Sequence, residues 1–199
     1  GKSSLLAKMP GEEAQRFANL RALYAWMWAL PGAPLLFMGA ELAPYTEWSE
    51  SEELAWDLLQ HDVHRGVRDL LVELNRLFVE WPALYERDHE SESFQWLEPD
   101  DADGCTYAFL RWGVNGAAAV ACVANFSLEA RIGYRVGLPW SGVWQTLLTT
   151  DSTAFAGGGH GGDAALEATA DLAWHNQPAS AVFDLPPLAV VWLGSLRQL

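Results

Sequence analysis

The feature that most constrains the fold is a series of short, strand-like apolar segments in the second half of the chain. Such segments recur roughly every ten residues, and turn clusters such as Pro99-Asp100-Asp101 and Val114-Asn115-Gly116 separate them. Many short strands with regular turns are typical of an antiparallel β-sandwich of about 100 residues. The predicted strands are Phe94–Leu97, Thr106–Trp112, Ala117–Phe126, Gly133–Leu138, Val143–Thr149, Ser180–Leu185 and Leu188–Leu193.

The first half of the chain has a different pattern, in which apolar residues follow helical spacing. One helix is predicted from Glu12 to Leu30, where Pro31-Gly32 ends it. A second helix is predicted over Arg65–Val79, before Trp81-Pro82. The charged stretch 86–92 then separates the helical pattern from the strand pattern, so we expect a linker there.

Between the two predicted helices lie four apolar residues, Leu35–Met38, followed by a glycine and a polar, aromatic stretch. A short apolar run bounded by turn signals is typical of a strand buried on both faces. Helix, buried strand, loop and helix form one step of an α/β fold, in which functional groups follow the carboxyl end of the strand. This places Glu41, Tyr45 and Trp48 at a candidate site. Glu41 is either a carboxylate at the site's rim or a structural acid that binds loop amides.

Composition excludes some partners. The formal net charge of −14 argues against nucleic acid or an anionic membrane, whereas a neutral substrate is compatible with it. Residues 22–40 are uncharged over the length of a membrane span, but Pro31, Gly32 and Pro34 would break a helix there.

Eleven tryptophans suit either apolar cores or faces that stack on sugar rings. The two cysteines, Cys105 and Cys122, favour free thiols in a reducing compartment.

Three weaker motifs favour no chemistry. Gly1-Lys2-Ser3 matches only the end of a phosphate-binding loop, and Pro10-Gly11 interrupts the helix that should follow. The glycine-rich stretch Gly157–Asp163 is expected to be a surface loop. His61 and His64 have the spacing of metal ligands on a helix, but no third ligand approaches in sequence, so neither a metal nor a cofactor is predicted.

Several segments together resemble the later part of bacterial 1,4-α-glucan branching enzymes, which belong to the α-amylase-type family. The matching segments stand in the family's order and cover nearly the whole chain. They are residues 1–11, 16–28, Leu35–Glu41 with Glu47-Trp48, 64–70, 74–77, 82–88, 123–127, 133–137, 147–151 and 185–193.

The resemblance implies an α/β plus all-β architecture: the closing part of a (β/α)₈ barrel followed by an antiparallel β-sandwich. Residues 1–85 would be the barrel portion, with Leu35–Met38 as its eighth strand, 86–92 a linker and 93–199 the sandwich. Active sites of such barrels lie on loops beyond the carboxyl ends of the strands. One strand and two helices alone would leave apolar faces uncovered, which predicts poor solubility of the barrel portion.

The resemblance also implies an activity, the cleavage of an α-1,4 link and transfer of the freed chain to a 6-hydroxyl, which forms an α-1,6 branch in glycogen. That reaction retains configuration and needs a carboxylate nucleophile and a carboxylic acid. Both groups, and a third Asp that the family uses, match no position of this chain, so its catalytic set is empty and the chain alone is expected to be inactive. Pro44 and Ser49 replace a Gln and an Asn that are common in the family, and both changes fall in the candidate loop.

The implied partners are an α-1,4-glucan and the remaining N-terminal portion of the barrel, in the cytoplasm, with no nucleic acid and no membrane. Two alternatives remain open: a non-catalytic glucan-binding or assembly module, and part of a sibling debranching or trehalose-forming enzyme. The motifs Met9-Pro10-Gly11-Glu12 and Leu185-Pro186-Pro187-Leu188-Ala189 favour branching.

Overall fold

The structure, a computed structural model, describes residues 3–160 and 164–196. The start of the weak phosphate-loop motif and part of the glycine-rich stretch Gly157–Asp163 lie outside the described residues. Three α-helices and eight strands are present in the described part of the chain: α1 Leu5–Lys8, α2 Glu13–Ala29, α3 Asp62–Glu80, β1 Phe94–Asp101, β2 Thr106–Trp112, β3 Ala118–Asn125, β4 Arg131–Leu138, β5 Gly142–Thr149, β6 Ala165–Ala168, β7 Ala179–Leu185 and β8 Ala189–Leu196.

The strands form two antiparallel sheets, as the strand pattern predicts. One sheet has six strands in the order β1-β2-β3-β8-β5-β6, and the other pairs β4 with β7. Every strand predicted in the second half of the chain is present. The short strand β6 was not predicted, because its four residues follow a glycine-rich stretch and carry only two apolar positions that point inward.

The six-stranded sheet is buried on both faces. Along β3, Val120, Cys122 and Ala124 belong to the core shared with the helices, while the alternate residues 119, 121 and 123 belong to the core shared with the small sheet. Because side chains alternate between the faces of a strand, a sheet covered on both sides needs apolar residues at every position. This explains the unbroken apolar run of β3.

The two long helices cover one face of that sheet. In α2, Glu12 and Gln15 form a capping box at the start of the helix, and Leu30 follows its end. In α3, Val67, Leu70 and Leu74 are fully buried. Both helices agree with the predicted ranges to within a few residues, and their apolar faces pack against the sheet instead of remaining uncovered.

The prediction of a buried strand at Leu35–Met38 is wrong for this structure. The segment has no strand pairing among the described residues, and the exposed fractions of Leu35 and Phe37 are 78% and 58%. A strand of a parallel sheet needs neighbours for its backbone N–H and C=O groups. Here all of the assigned strands pair with one another in antiparallel sheets, so the segment has no sheet to join. The polar stretch before α3 contains a 3₁₀ helix at Trp56–Gln60.

None of the helices in the described ranges combines the length and apolar character that crossing a membrane requires.

Candidate functional site

The segment after α2 ends in a tight turn that both long helices hold in place. The turn contains the 3₁₀ helix Ala40–Leu42, preceded by Gly39 at φ 80°. The hydroxyl of Tyr24 on α2 donates to the carbonyl oxygen of Ala40 at 2.9 Å. Nδ1 of the buried His64 on α3 lies 2.8 Å from the carbonyl oxygen of Leu42. The turn is therefore fixed on two sides although the residues before it are exposed.

Trp48 lies at a cavity of about 300 Å³ formed between this segment and the start of the chain. Its indole packs edge-on against Phe37, with ring centroids 5.1 Å apart and planes at 77°. The exposed fraction of Trp48 is 49%. The described residues that line the cavity are Ser3, Ser4, Leu5, Leu6, Lys8, Tyr24, Leu35, Leu36, Phe37, Met38, Ala40, Ala43, Pro44, Thr46, Glu47 and Trp48.

Tyr45 faces away from this cavity, toward the start of α2. Its hydroxyl donates to Oε1 of Glu13, and its ring makes edge-to-face contacts with Phe17 and His64. The hydrogen bond to Glu13 raises the pKa of Tyr45 to about 12, with smaller contributions from burial and from the charge of Glu13. The structure therefore separates Tyr45 from Trp48, two residues that the sequence analysis placed together.

Glu41 is half-buried within the 3₁₀ turn and is not among the residues that line the cavity at Trp48. It lies near the phenol of Tyr24. Burial raises the pKa of Tyr24 above its usual value, and the charge of Glu41 raises it further. Of the two interpretations left open, this position favours a structural acid of the turn.

Sequence reasoning did not assign Phe37 and Tyr24 to the site, although both line the cavity. Phe37 belonged to the predicted strand and Tyr24 to the apolar stripe of the predicted helix, so both were assigned to the core. Strand alternation around Phe37 was the only available signal, and a run of four apolar residues does not show it.

The cavity is suited to binding but not to bond cleavage. Aromatic and aliphatic groups form most of its wall, which suits the apolar face of a sugar ring. Glu47 is the single carboxylate among its described lining residues, whereas retaining transfer between sugars needs a pair. His61 and His64 have ring centroids 6.0 Å apart, and over the ranges 3–160 and 164–196 no group of three or more His, Cys, Asp or Glu side chains is arranged to hold a metal ion.

Sequence comparison identifies close relatives. The chain is 48% identical over 193 residues to the 1,4-alpha-glucan branching enzyme GlgB of Thermobifida fusca, a match that covers 97% of this chain and 26% of that protein. It is 47% identical over 194 residues to the enzyme of the same name from Cupriavidus necator, again over 97% of this chain and 26% of that protein. The chain thus spans about a quarter of the length of these relatives.

Solved structures show the same fold at low identity. Ttha1563 from Thermus thermophilus matches 96% of this chain and 33% of its own, with a TM-score of 0.61 and 20% identity. The Nostoc punctiforme debranching enzyme matches 92% of this chain and 32% of its own, with a TM-score of 0.57 and 14% identity. At these identities the matches support the fold alone.

The family described as "Alpha amylase, C-terminal all-beta domain" matches residues 96–195, which are half of the chain and contain nearly all of its sheet structure. The resemblance to bacterial branching enzymes is confirmed by the relatives named above. The chain therefore belongs to the family of alpha amylase C-terminal all-beta domains.

Proposed function

We propose that the chain is the C-terminal part of a 1,4-α-glucan branching enzyme, which cleaves α-1,4 links and transfers the freed chain to a 6-hydroxyl. The observation that carries the proposal is the identity of 47–48% to named branching enzymes along 97% of this chain. The match includes the helical half, which the all-beta family does not cover.

In this proposal residues 1–85 close a (β/α)₈ barrel, 86–92 form a linker and 93–199 form the sandwich domain. In the whole enzyme Leu35–Met38 pairs as the eighth barrel strand with neighbours from the remaining N-terminal portion of the barrel, which this chain does not contain. The exposure of Leu35 and Phe37 supports this assignment, because large apolar side chains at the edge of a cavity are usually covered by another surface.

The proposed substrate is an α-1,4-glucan. Trp48 and Phe37 offer it an apolar surface, and Glu41 and Tyr45 shape the rim and the loop. The catalytic carboxylates belong to the rest of the enzyme, so the 199-residue chain by itself does not branch glucan. The cytoplasm is the proposed location, in agreement with the free thiols of Cys105 and Cys122.

A chimera tests the proposal. This chain replaces the matching C-terminal quarter of the Thermobifida fusca enzyme, and branching of amylose is followed by loss of iodine colour and by the formation of α-1,6 links. We expect activity from the chimera and none from the 199-residue chain or from the truncated relative. An inactive but folded chimera, or branching by the chain alone, would contradict the proposal.

A non-catalytic glucan-binding module is the second candidate, and the exposed Trp174 and Leu172 on the sandwich side favour it. Retention of the whole chain on native gels that contain glycogen, lost in the Trp174→Ala variant, would support this candidate. A chain that is only a binding module would leave the chimera inactive, whereas the C-terminal part of a branching enzyme would give an active chimera. The chimera therefore distinguishes the two functions.

A further inference from the structure

A buried arginine of the sandwich reaches the end of helix α2. Arg111 lies on β2 with a side chain that is 0% exposed. Its Nη1 donates to the carbonyl oxygen of Ala29, the last residue of α2, at 2.8 Å. Its Nη2 forms an ion pair with Oδ1 of Asp88. One guanidinium thus joins the sheet, the helix and the stretch that connects the two halves of the chain.

Asp88 extends this connection to the residues that follow the helix. Its second oxygen, Oδ2, accepts a hydrogen bond from the backbone N–H of Gly32 at 3.1 Å. Ala29 and Gly32 lie on either side of Leu30-Pro31, where the helix ends. The next residues, 35–38, line the cavity at Trp48. Arg111 and Asp88 therefore fix the direction in which the chain leaves α2 toward the candidate site.

Stabilising the core is a poor explanation for this arginine. Phe109, its neighbour on the same face of β2, belongs to the apolar core shared with the helices. Burial lowers the pKa of Arg111, an effect that the charge of Asp88 opposes, and Nε has no hydrogen-bond partner in the described part of the chain. A well-packed apolar residue is often as stable as a buried ion pair or more so. What an apolar residue lacks is a directional bond to a helix end, where the carbonyl groups favour a cation.

We propose that Arg111 and Asp88 are positioning residues of the branching reaction, which act by holding the segment between α2 and Trp48 in register with the sandwich. The inference rests on the proposed function. It gives the sandwich domain a role in the active-site geometry without any contact between the sandwich and the substrate.

The first test uses the 199-residue chain and does not depend on activity. Arg111→Lys keeps the charge but cannot bridge two acceptors with a planar fork, and Asp88→Asn keeps the shape without the charge. Amide hydrogen exchange, followed by NMR, is compared at Gly32, Ala40 and Leu42. Ala40 and Leu42 donate to the carbonyl oxygens of Phe37 and Gly39 within the turn. We expect exchange at all three amides to be at least about tenfold faster in both variants.

Arg76→Lys is the matched control. Arg76 is an exposed arginine on α3 that pairs with Glu73 and Glu80, and its replacement should leave these three amides unchanged. Val120 and Val191 in the centre of the sheet should keep their protection in all variants. Faster exchange at Gly32 alone would overturn the inference, because the contact would then be local. Uniform acceleration that includes Val120 and Val191 would also overturn it, since it would show only global destabilisation.

The second test places both variants in the chimera at a temperature where each remains folded. A positioning role predicts a kcat that is lower by about tenfold or more with an unchanged KM for amylose. An unaltered kcat in an active chimera would overturn the inference and leave the proposed function intact. An inactive but folded parent chimera would contradict the proposed function, and the exchange measurements would still decide on the positioning of the segment.

Discussion

At the scale of single residues, the positions of residues along a loop do not show which way their side chains point. Glu41, Tyr45 and Trp48 lie within eight residues, and the sequence predicts that they belong to one site. In the structure Trp48 lines the cavity, Tyr45 points toward Glu13, and Glu41 stays within the turn. Direction depends on the left-handed backbone at Met38, Gly39 and Ala43, of which only the glycine is visible as a signal in the sequence.

The contact between Tyr45 and Glu13 predicts a measurable titration. In the Glu13→Gln variant the pKa of Tyr45 should fall from about 12 toward its ordinary value of 10, because the strongest acceptor of its proton is lost. Ultraviolet difference absorbance of tyrosinate measures this change, and the Tyr45→Phe variant identifies the signal as that of Tyr45.

The sign of the linked effect on stability follows from the raised pKa. The folded state retains the phenol proton more firmly than the unfolded chain, so the contribution to stability is complete below pH 10 and declines as the pH rises toward about 12. Glu13→Gln should therefore weaken this alkaline dependence. A variant with the same tyrosinate titration as the parent chain would contradict the assigned hydrogen bond.

Gly66 on α3 predicts a second effect of a single residue. A Cβ added there would lie 2.3 Å from the carbonyl oxygen of Phe155. Gly66→Ala should therefore destabilise the chain by about 1–3 kcal/mol, although alanine favours an isolated helix by roughly 0.5–1 kcal/mol. Urea unfolding measures the difference. Val72→Ala, at a site of the same helix that is 62% exposed, is the control, with an expected change within about 0.5 kcal/mol. A neutral or stabilising Gly66→Ala would show that α3 does not approach the backbone at Phe155 so closely.

At the scale of elements, the sequence predicted the antiparallel strands and the two long helices but misjudged which strands are buried on both faces. The continuous apolar run at Leu35–Met38 predicts a strand buried on both faces, but Leu35 and Phe37 are exposed in this structure. In this structure the doubly buried strands are β3 and β8, which lie in the middle of the antiparallel sheet. An apolar run indicates that a segment needs cover on both sides, but it does not identify what covers the segment, because the partners are distant in sequence.

The turn that packs against β4 predicts a dependence on acidity. Nδ1 of His175 accepts a hydrogen bond from the backbone N–H of Gly137 at 3.3 Å, and Nε2 lies 3.8 Å from Oε2 of Glu98 on β1. Burial lowers the pKa of His175 below its ordinary value of 6.5, and the charge of Glu98 opposes this effect. A protonated Nδ1 would lose the bond from Gly137.

The unfolded chain thus binds this proton more readily than the folded chain. The contribution of His175 to stability should be complete above pH 6.5 and decline as the pH falls below that value. Melting temperatures measured through this range should fall more steeply for the parent chain than for His175→Gln, whose amide oxygen accepts the same bond without titrating in this range. Parallel curves for the two chains would show that His175 does not respond to acid in this way.

At the scale of the whole molecule, the two predicted halves share one sheet. The helices α2 and α3 cover one face and the pair β4-β7 covers the other. Arg21 of α2 reaches the carbonyl oxygen of Thr150 at 3.0 Å, and Arg111 of β2 reaches that of Ala29. In the sequence, the charged stretch 86–92 marks the change from helical to strand-like spacing. In the structure, the same stretch contacts the sheet, since Asp88 forms an ion pair with Arg111.

This shared sheet predicts that the sandwich half does not fold by itself. A shortened chain of residues 86–199 would expose the helix-side core of the sheet, including Phe109, Val120 and Trp192, each fully buried in the whole chain. Removing cover from several such side chains costs about 1.5–3 kcal/mol for each, which together exceeds much of the 5–15 kcal/mol stability of an ordinary domain. We expect residues 86–199 to bind a hydrophobic dye and to lack a cooperative thermal transition, while residues 1–199 melt in a single transition by circular dichroism. A monodisperse and cooperatively melting 86–199 would show that the sandwich folds independently of the helices. The role proposed for Arg111 would then depend on a contact with α2 that the folding of the sandwich does not require.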